Sequence, residues 1–173
     1  MTISIGGIQL AGPVLAAPFS GISNLPFRMI ARQHGASLVF TEMIKARAWV
    51  DGNKKTAWML ECDESERPVF AQIATSTADE AERTTELAFE AGFDGLDLNM
   101  GCPVKKISRS QCGAYLMSEP SLAAAVVGAM ERTAARLRTP QRPFPITCKI
   151  RAGLNRDTVN GVEVAQRLEQ AGA

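Results

Sequence analysis

The sequence predicts an α/β chain built from β/α units, about the first five of the eight that close a TIM (β/α)8 barrel, and three observations carry that reading. Short apolar runs alternate with longer helical patterns along all 173 residues, the rhythm of a parallel sheet with crossover helices. Helical stretches end on a repeated phrase, His34-Gly35-Ala36, Ala91-Gly92-Phe93 and Ala171-Gly172-Ala173, in which glycine supplies a left-handed cap. The third observation is a shortfall: five units lie below the roughly 200 to 250 residues of a whole barrel. A self-contained doubly wound sheet is the alternative, but Ala16-Ala17-Pro18-Phe19-Ser20-Gly21 stands where that fold would carry a G-x-G-x-x-G loop.

In chain order, the first strand is expected at Val14 to Ala17 and the first helix at Leu25 to His34, closed by the first glycine phrase. A second strand at Leu38 to Thr41 precedes a short helix around Asn53 to Leu60. Val69 to Ile73 is the third strand and Ala78 to Glu90 its helix, closed by the second phrase; Gly95 to Leu98 is the fourth strand and Ser121 to Leu137 its helix. A fifth strand at Ile146 to Ile150 and a helix from Val159 to Gln170 complete the series, so that residues 1–173 form the N-terminal portion of the barrel.

Composition narrows the function. With 46% hydrophobic and 21% charged residues the chain has the material for a packed core. Nineteen basic against eighteen acidic side chains, a net charge of +1, exclude a polycation that binds nucleic acid by bulk charge. The first twenty residues carry no Lys or Arg, and the run Val14 to Phe19 is too short for a signal sequence or a membrane span, so a cytoplasmic location without membrane contact is expected. Cys62, Cys102, Cys112 and Cys148 contain no C-x-x-C pair, which speaks for free thiols and against a metal or iron-sulfur site. The one histidine, His34, sits at a helix end, where a cation meets the negative pole of the helix dipole.

Chemistry in a parallel barrel gathers at the C-terminal ends of the strands. Period-two reading of Gly95-Leu96-Asp97-Leu98-Asn99 sends the leucines toward the helices and Asp97 and Asn99 toward the lumen. Thr147, Lys149 and Arg151 share one face of the fifth strand, Gln72 is the polar residue of the third, and Glu42 follows the second. These groups either satisfy one another, Lys149 pairing with Glu42 or Asp97, or face a polar ligand. Asp97 is expected to accept backbone N–H groups. Gly101-Cys102-Pro103 places a thiol on the loop after the fourth strand, suited to act as nucleophile or general acid, or else as a small buried hydrophobe. Lys45, Arg47, Lys54, Lys55, Lys105, Lys106 and Arg109 fall in segments after strands, either as solvated surface or as contacts to a polyanion.

Taken in order, Ala17-Pro18-Phe19-Ser20-Gly21, Leu25-Pro26-Phe27-Arg28, Thr41-Glu42-Met43, Gln72, Asp97 through Lys106, Gly113-Ala114-Tyr115-Leu116-Met117 and Lys149-Ile150-Arg151 resemble the flavin-dependent tRNA-dihydrouridine synthases. The resemblance implies an FMN-binding barrel that reduces the C5–C6 bond of uridine in tRNA with NADPH. In its terms Cys102 is the general acid that protonates C5, Lys149 and Gln72 bind the flavin ring with Pro18, Phe19 and Ser20 along it, and Asn99 and Arg151 contact the substrate. It also implies that further barrel units, the flavin phosphate loops and a helical tRNA-binding domain would lie beyond Ala173, and hence that the 173 residues alone bind FMN weakly or not at all. The sequence departs from the family pattern at Phe19, Ser20, Thr75, Ser110 and Cys112, with Thr75 in a place where the family carries glycine. Dihydroorotate or dihydropyrimidine dehydrogenases are the rival flavoenzymes, and an inactive fragment that contacts RNA is the rival outside catalysis. Thr41-Glu42-Met43 and Lys105-Lys106 favour the tRNA enzyme.

Overall fold

A computed structural model describes residues 3–173. The chain opens with an antiparallel hairpin, β1 (Ile3–Ile5) and β2 (Ile8–Leu10), in which Ile5 pairs with Ile8 across Gly6-Gly7. Both glycines have positive φ, 52° and 93°, the geometry a two-residue hairpin turn demands. The hairpin was not foreseen, although a Gly-Gly pair between alternating isoleucines is a turn signal.

Five parallel strands follow, β3 (Leu15–Ala16), β4 (Leu38–Lys45), β5 (Val69–Ala74), β6 (Gly95–Asn99) and β7 (Ile146–Lys149), hydrogen-bonded in the order β3-β4-β5-β6-β7. Strand order that follows chain order without reversal is a barrel wall, whereas a doubly wound sheet reverses at a switch point. The fold is therefore part of a (β/α)8 barrel, with β3 and β7 at its edges.

Helices α1 (Leu25–Gln33), α2 (Ala46–Val50), α3 (Lys54–Met59), α4 (Ala78–Glu90), α5 (Lys105–Ser108), α6 (Pro120–Leu137) and α7 (Gly161–Gln170) link the strands. Asn24 caps α1 by accepting from Phe27 N, Pro26 occupies its first turn, and His34 is its C-cap, at the helix end expected of it, and is exposed. Along α6, Ala123, Val126, Val127, Met130 and Ala134 recur at helical spacing and are buried. They pack with Ala81 and Ala88 of α4 and Val164 and Leu168 of α7 against Val39, Val69, Ala71, Ile73, Leu96 and Leu98 of the sheet. Each fully buried Val, Leu or Met contributes about 1.5–3 kcal/mol, so this outer layer is the main source of stability.

The lumen face has its own, smaller core at the N-terminal ends of the strands. Leu10, Leu38 and Phe70 are buried together, with Ile5, Ile8 and Phe40 against them, so the hairpin floors the lumen. Gly95 makes room for the Phe70 ring: a Cβ there would lie 2.6 Å from it.

The largest departure from expectation is in β4, which continues four residues past Thr41 to Lys45. Phe40 pairs with Phe70 but Met43 pairs with Gln72, so β4 spends one extra residue in a bulge at Thr41-Glu42. The Thr41 hydroxyl closes the gap by accepting from Gln72 N at 3.0 Å. Glu42, expected after the strand, thus lies within it. The short helices α2 and α5 were also unforeseen, and β3 and β7 are shorter than expected.

Candidate active site

Three loops at the C-terminal ends of the strands build the site. After β3, Ser23 ties the turn together: its hydroxyl accepts from Phe19 N at 2.9 Å and donates to Phe19 O at 3.0 Å. Gly21, at φ 76°, donates its N–H to Glu42 Oε2, which fixes this loop to the bulge of β4. The buried side chain of Arg28 anchors the helix behind it, paired with Glu66 at 2.5 Å and donating to Ser23 O and Glu61 O.

Register brings the polar lumen residues to common levels. Gln72, Asp97 and Thr147 are direct neighbours across β5, β6 and β7, and Asn99 and Lys149 form the next level up. Asp97 accepts from Thr147 Oγ1 at 2.7 Å and from Gln72 Nε2 at 2.7 Å. It therefore receives side-chain donors and not the backbone N–H groups expected of it. Gln72 Oε1 accepts from Asn99 Nδ2 at 2.9 Å. Asn99 Oδ1 in turn accepts from Gly101 N at 3.2 Å and Cys102 N at 2.9 Å.

The loop that carries Cys102 is held from the other side as well. Ala114 N donates to Cys102 O at 2.9 Å, and Arg151 Nη1 donates to Gly101 O at 3.2 Å. Gly113, at φ 65°, lies so close that a Cβ would stand 2.7 Å from Cys102 O and 2.8 Å from Ile107 Cγ2.

These loops enclose a cavity of about 460 Å³ lined by Pro18, Phe19, Ser20, Gln72, Asn99, Cys102, Lys149 and Arg151, with Met43, Gly101, Pro103 and Ile150 completing the wall. All eight residues singled out from the sequence thus border one space. The volume suits a planar cofactor or nucleobase.

Charge within the cavity is uneven. Lys149 makes no ion pair and no side-chain hydrogen bond among the described residues, so neither pairing expected for it forms. Burial pushes the Asp97 carboxyl up to about 6, against the hydrogen bonds from Gln72 and Thr147 and the charge of Lys149. Burial likewise raises the Cys148 thiol well above its ordinary value and raises Cys112, which donates to Ser110 O at 3.0 Å. All four cysteines are free.

Thr75 does not line the cavity. It is buried, donates to Glu80 Oε2 at 2.8 Å and accepts from Thr77 N at 3.2 Å, which turns its side chain to the first turn of α4. Of the basic residues, Lys45 reaches Ser110 Oγ at 3.2 Å and Arg47 pairs with Asp51 at 2.9 Å. Lys54, Lys55, Lys105, Lys106 and Arg109 are exposed. Among the described residues no cluster of His, Cys, Asp or Glu could hold a metal ion, and no helix is long and apolar enough to cross a membrane.

The family profile of dihydrouridine synthase (Dus) matches residues 14–173. A probable tRNA-dihydrouridine synthase of Rhodobacter capsulatus is 33% identical over 99% of this chain and 51% of its own length. The tRNA-dihydrouridine synthase B of Pseudomonas aeruginosa is 34% identical over 98% of this chain and 49% of its own length. The chain spans about half the length of the curated relatives it matches. Among solved structures, a variant of NCR from Zymomonas mobilis superposes with a TM-score of 0.52 at 14% identity, covering 98% of this chain and 64% of that one, a likeness of fold alone. The motifs at the strand ends, the cavity they share and the match over nearly all of its length agree that the chain belongs to the dihydrouridine synthase family.

Proposed function

We propose that these residues form the ring-binding and acid-bearing part of a cytoplasmic flavin enzyme that converts uridine in tRNA to dihydrouridine, with FMN as cofactor and NADPH as reductant. The observation that carries this reading is the single cavity shared by Cys102 on the β6 loop, the unpaired ammonium of Lys149 on β7, and the 18–20 turn after β3.

The donor set fits an isoalloxazine. Lys149 offers a positive charge that favours an electron-rich ring. Gln72 retains its second Nε2 hydrogen for a ligand. Pro18, Phe19 and Ser20 supply a wall held rigid by Ser23 and Glu42. When bound, the flavin supplies hydride to the pyrimidine. Cys102, half-buried beside that space, is placed to deliver a proton to the carbon next to the one reduced. Asn99 has one Nδ2 hydrogen uncommitted and Arg151 borders the open side, the two contacts assigned here to the uracil edge and its phosphate.

The test is to assay a protein that carries these residues at the full length of its relatives, with excess FMN, NADPH and an unmodified tRNA transcript, counting dihydrouridine by nucleoside mass spectrometry. Cys102→Ala is expected to abolish product while FMN binding, read from the flavin absorption band, is retained. Undiminished product in that variant removes Cys102 from the acid role. A wild-type protein that neither binds FMN nor modifies tRNA refutes the assignment.

A further inference from the structure

We infer that Asp97 is a positioning residue for the Cys102 loop, acting through Gln72 and Asn99 as a chain of hydrogen bonds whose direction its carboxylate sets. The chain is continuous: Thr147 Oγ1 and Gln72 Nε2 donate to Asp97, Asn99 Nδ2 donates to Gln72 Oε1, and Gly101 N and Cys102 N donate to Asn99 Oδ1. Asp97, Gln72 and Asn99 are 2%, 1% and 8% exposed, so water cannot readily replace a lost partner.

Direction follows from what each end can do. An ionised carboxylate only accepts, so Gln72 must turn its NH2 toward Asp97 and its oxygen toward Asn99. Asn99 must then turn its NH2 toward Gln72, which leaves its oxygen for the two loop N–H groups. The far end makes the same demand, because backbone N–H groups only donate. Flipping either amide sets oxygen against oxygen at one junction and N–H against N–H at the other. One buried charge thereby fixes two amides and, through them, the path of Gly101 and Cys102 out of β6. The Arg151 contact to Gly101 O and the Ala114 contact to Cys102 O hold the carbonyls of the same loop, and among the described residues only Asn99 holds its two amides.

This inference rests on the proposed role of Cys102, yet its test needs no flavin, NADPH or tRNA, so each can fail without the other. The native protein and its variants are treated with iodoacetamide, and the alkylation rate of each of the four cysteines is read separately by peptide mass spectrometry. Asp97→Ala removes the acceptor, and Gln72→Met breaks the middle of the chain while keeping side-chain length. Losing the order that one or two buried hydrogen bonds impose is expected to change the Cys102 rate roughly two- to tenfold. Cys62 and Cys112 should keep their wild-type rates; Cys148, whose thiol the Asp97 charge helps to hold protonated, serves as a control only in Gln72→Met. Asp97→Asn can present its oxygen to Gln72 and its NH2 to the Thr147 hydroxyl, so it should restore the wild-type Cys102 rate. Should Asp97→Ala fail to fold, Gln72→Met and Asp97→Asn still decide the matter. The inference is overturned if Cys102 keeps its rate in Gln72→Met, if Cys62 and Cys112 change along with Cys102, or if Asp97→Asn behaves like the broken chain.

Discussion

Asp97→Asn should steepen the acid limb of the stability curve. The carboxyl has an ordinary value of 3.8 and is pushed up to about 6 in the folded protein, chiefly because burial disfavours its charge. Hydrogen bonds from Gln72 and Thr147 and the charge of Lys149 oppose that rise without cancelling it. Between these two values the folded protein keeps a proton that the unfolded chain releases. The contribution of Asp97 to stability is therefore fully present below pH 3.8 and is lost as pH climbs through about 6. At 1.36 kcal/mol for each tenfold change in affinity, the span amounts to about 3 kcal/mol. Asparagine keeps an acceptor for Gln72 and gives Thr147 a donor, but it cannot titrate. Urea unfolding of both proteins at a series of pH values from about 4 to about 7 reads the effect, and groups common to both cancel in the difference. The variant should gain on the wild type as pH rises across this window. A difference that stays flat, or one that grows in the wild type's favour, would refute the placement of Asp97 as a desolvated carboxylate.

Two further substitutions probe the supports of the site. Arg28→Met leaves Glu66 charged and buried without its partner, which should cost about 3–5 kcal/mol in denaturant unfolding, and adding Glu66→Gln should recover part of the loss. Gly113→Ala forces a Cβ into Cys102 O and Ile107 at a positive φ, so it should cost about 1–3 kcal/mol and, unlike a surface change, alter the alkylation rate of Cys102.

The parts legible in the sequence were those in which one face of an element differs sharply from the other. In Gly95 to Asn99 the leucines and the polar residues alternate without exception, so parity alone assigned Asp97 and Asn99 to the lumen. The same reading put Thr147 on the lumen face, where it meets Asp97, and it put Gln72 and Lys149, with the Pro18, Phe19, Ser20, Cys102 and Arg151 that resemblance to the family singled out, on one cavity. Parity gives a face but no height. Asp97 was expected to take backbone donors because nothing in one strand reveals which side chains of its neighbours stand at its level. Register supplies that, by setting Gln72 and Thr147 on either side of it.

The bulge in β4 was hidden for a related reason. Thr41-Glu42 reads as the polar end of a strand, yet the strand goes on, because the Thr41 hydroxyl can stand in for the acceptor that the ladder loses opposite Gln72 N. The extra residue also frees Glu42 from the ladder's alternation and lets it reach across to Gly21 N. The bulge therefore couples two things the site needs at once: the hold of Thr41 on Gln72 N, and the fixed turn at Phe19 and Ser20. Deleting Glu42 would keep Met43 opposite Gln72 in a straight ladder but would release the 18–20 turn from its anchor. The Thr-Glu-Met stretch that reads as a family mark is, in physical terms, a device for tying the 18–20 wall of the cavity to the strand that carries Gln72.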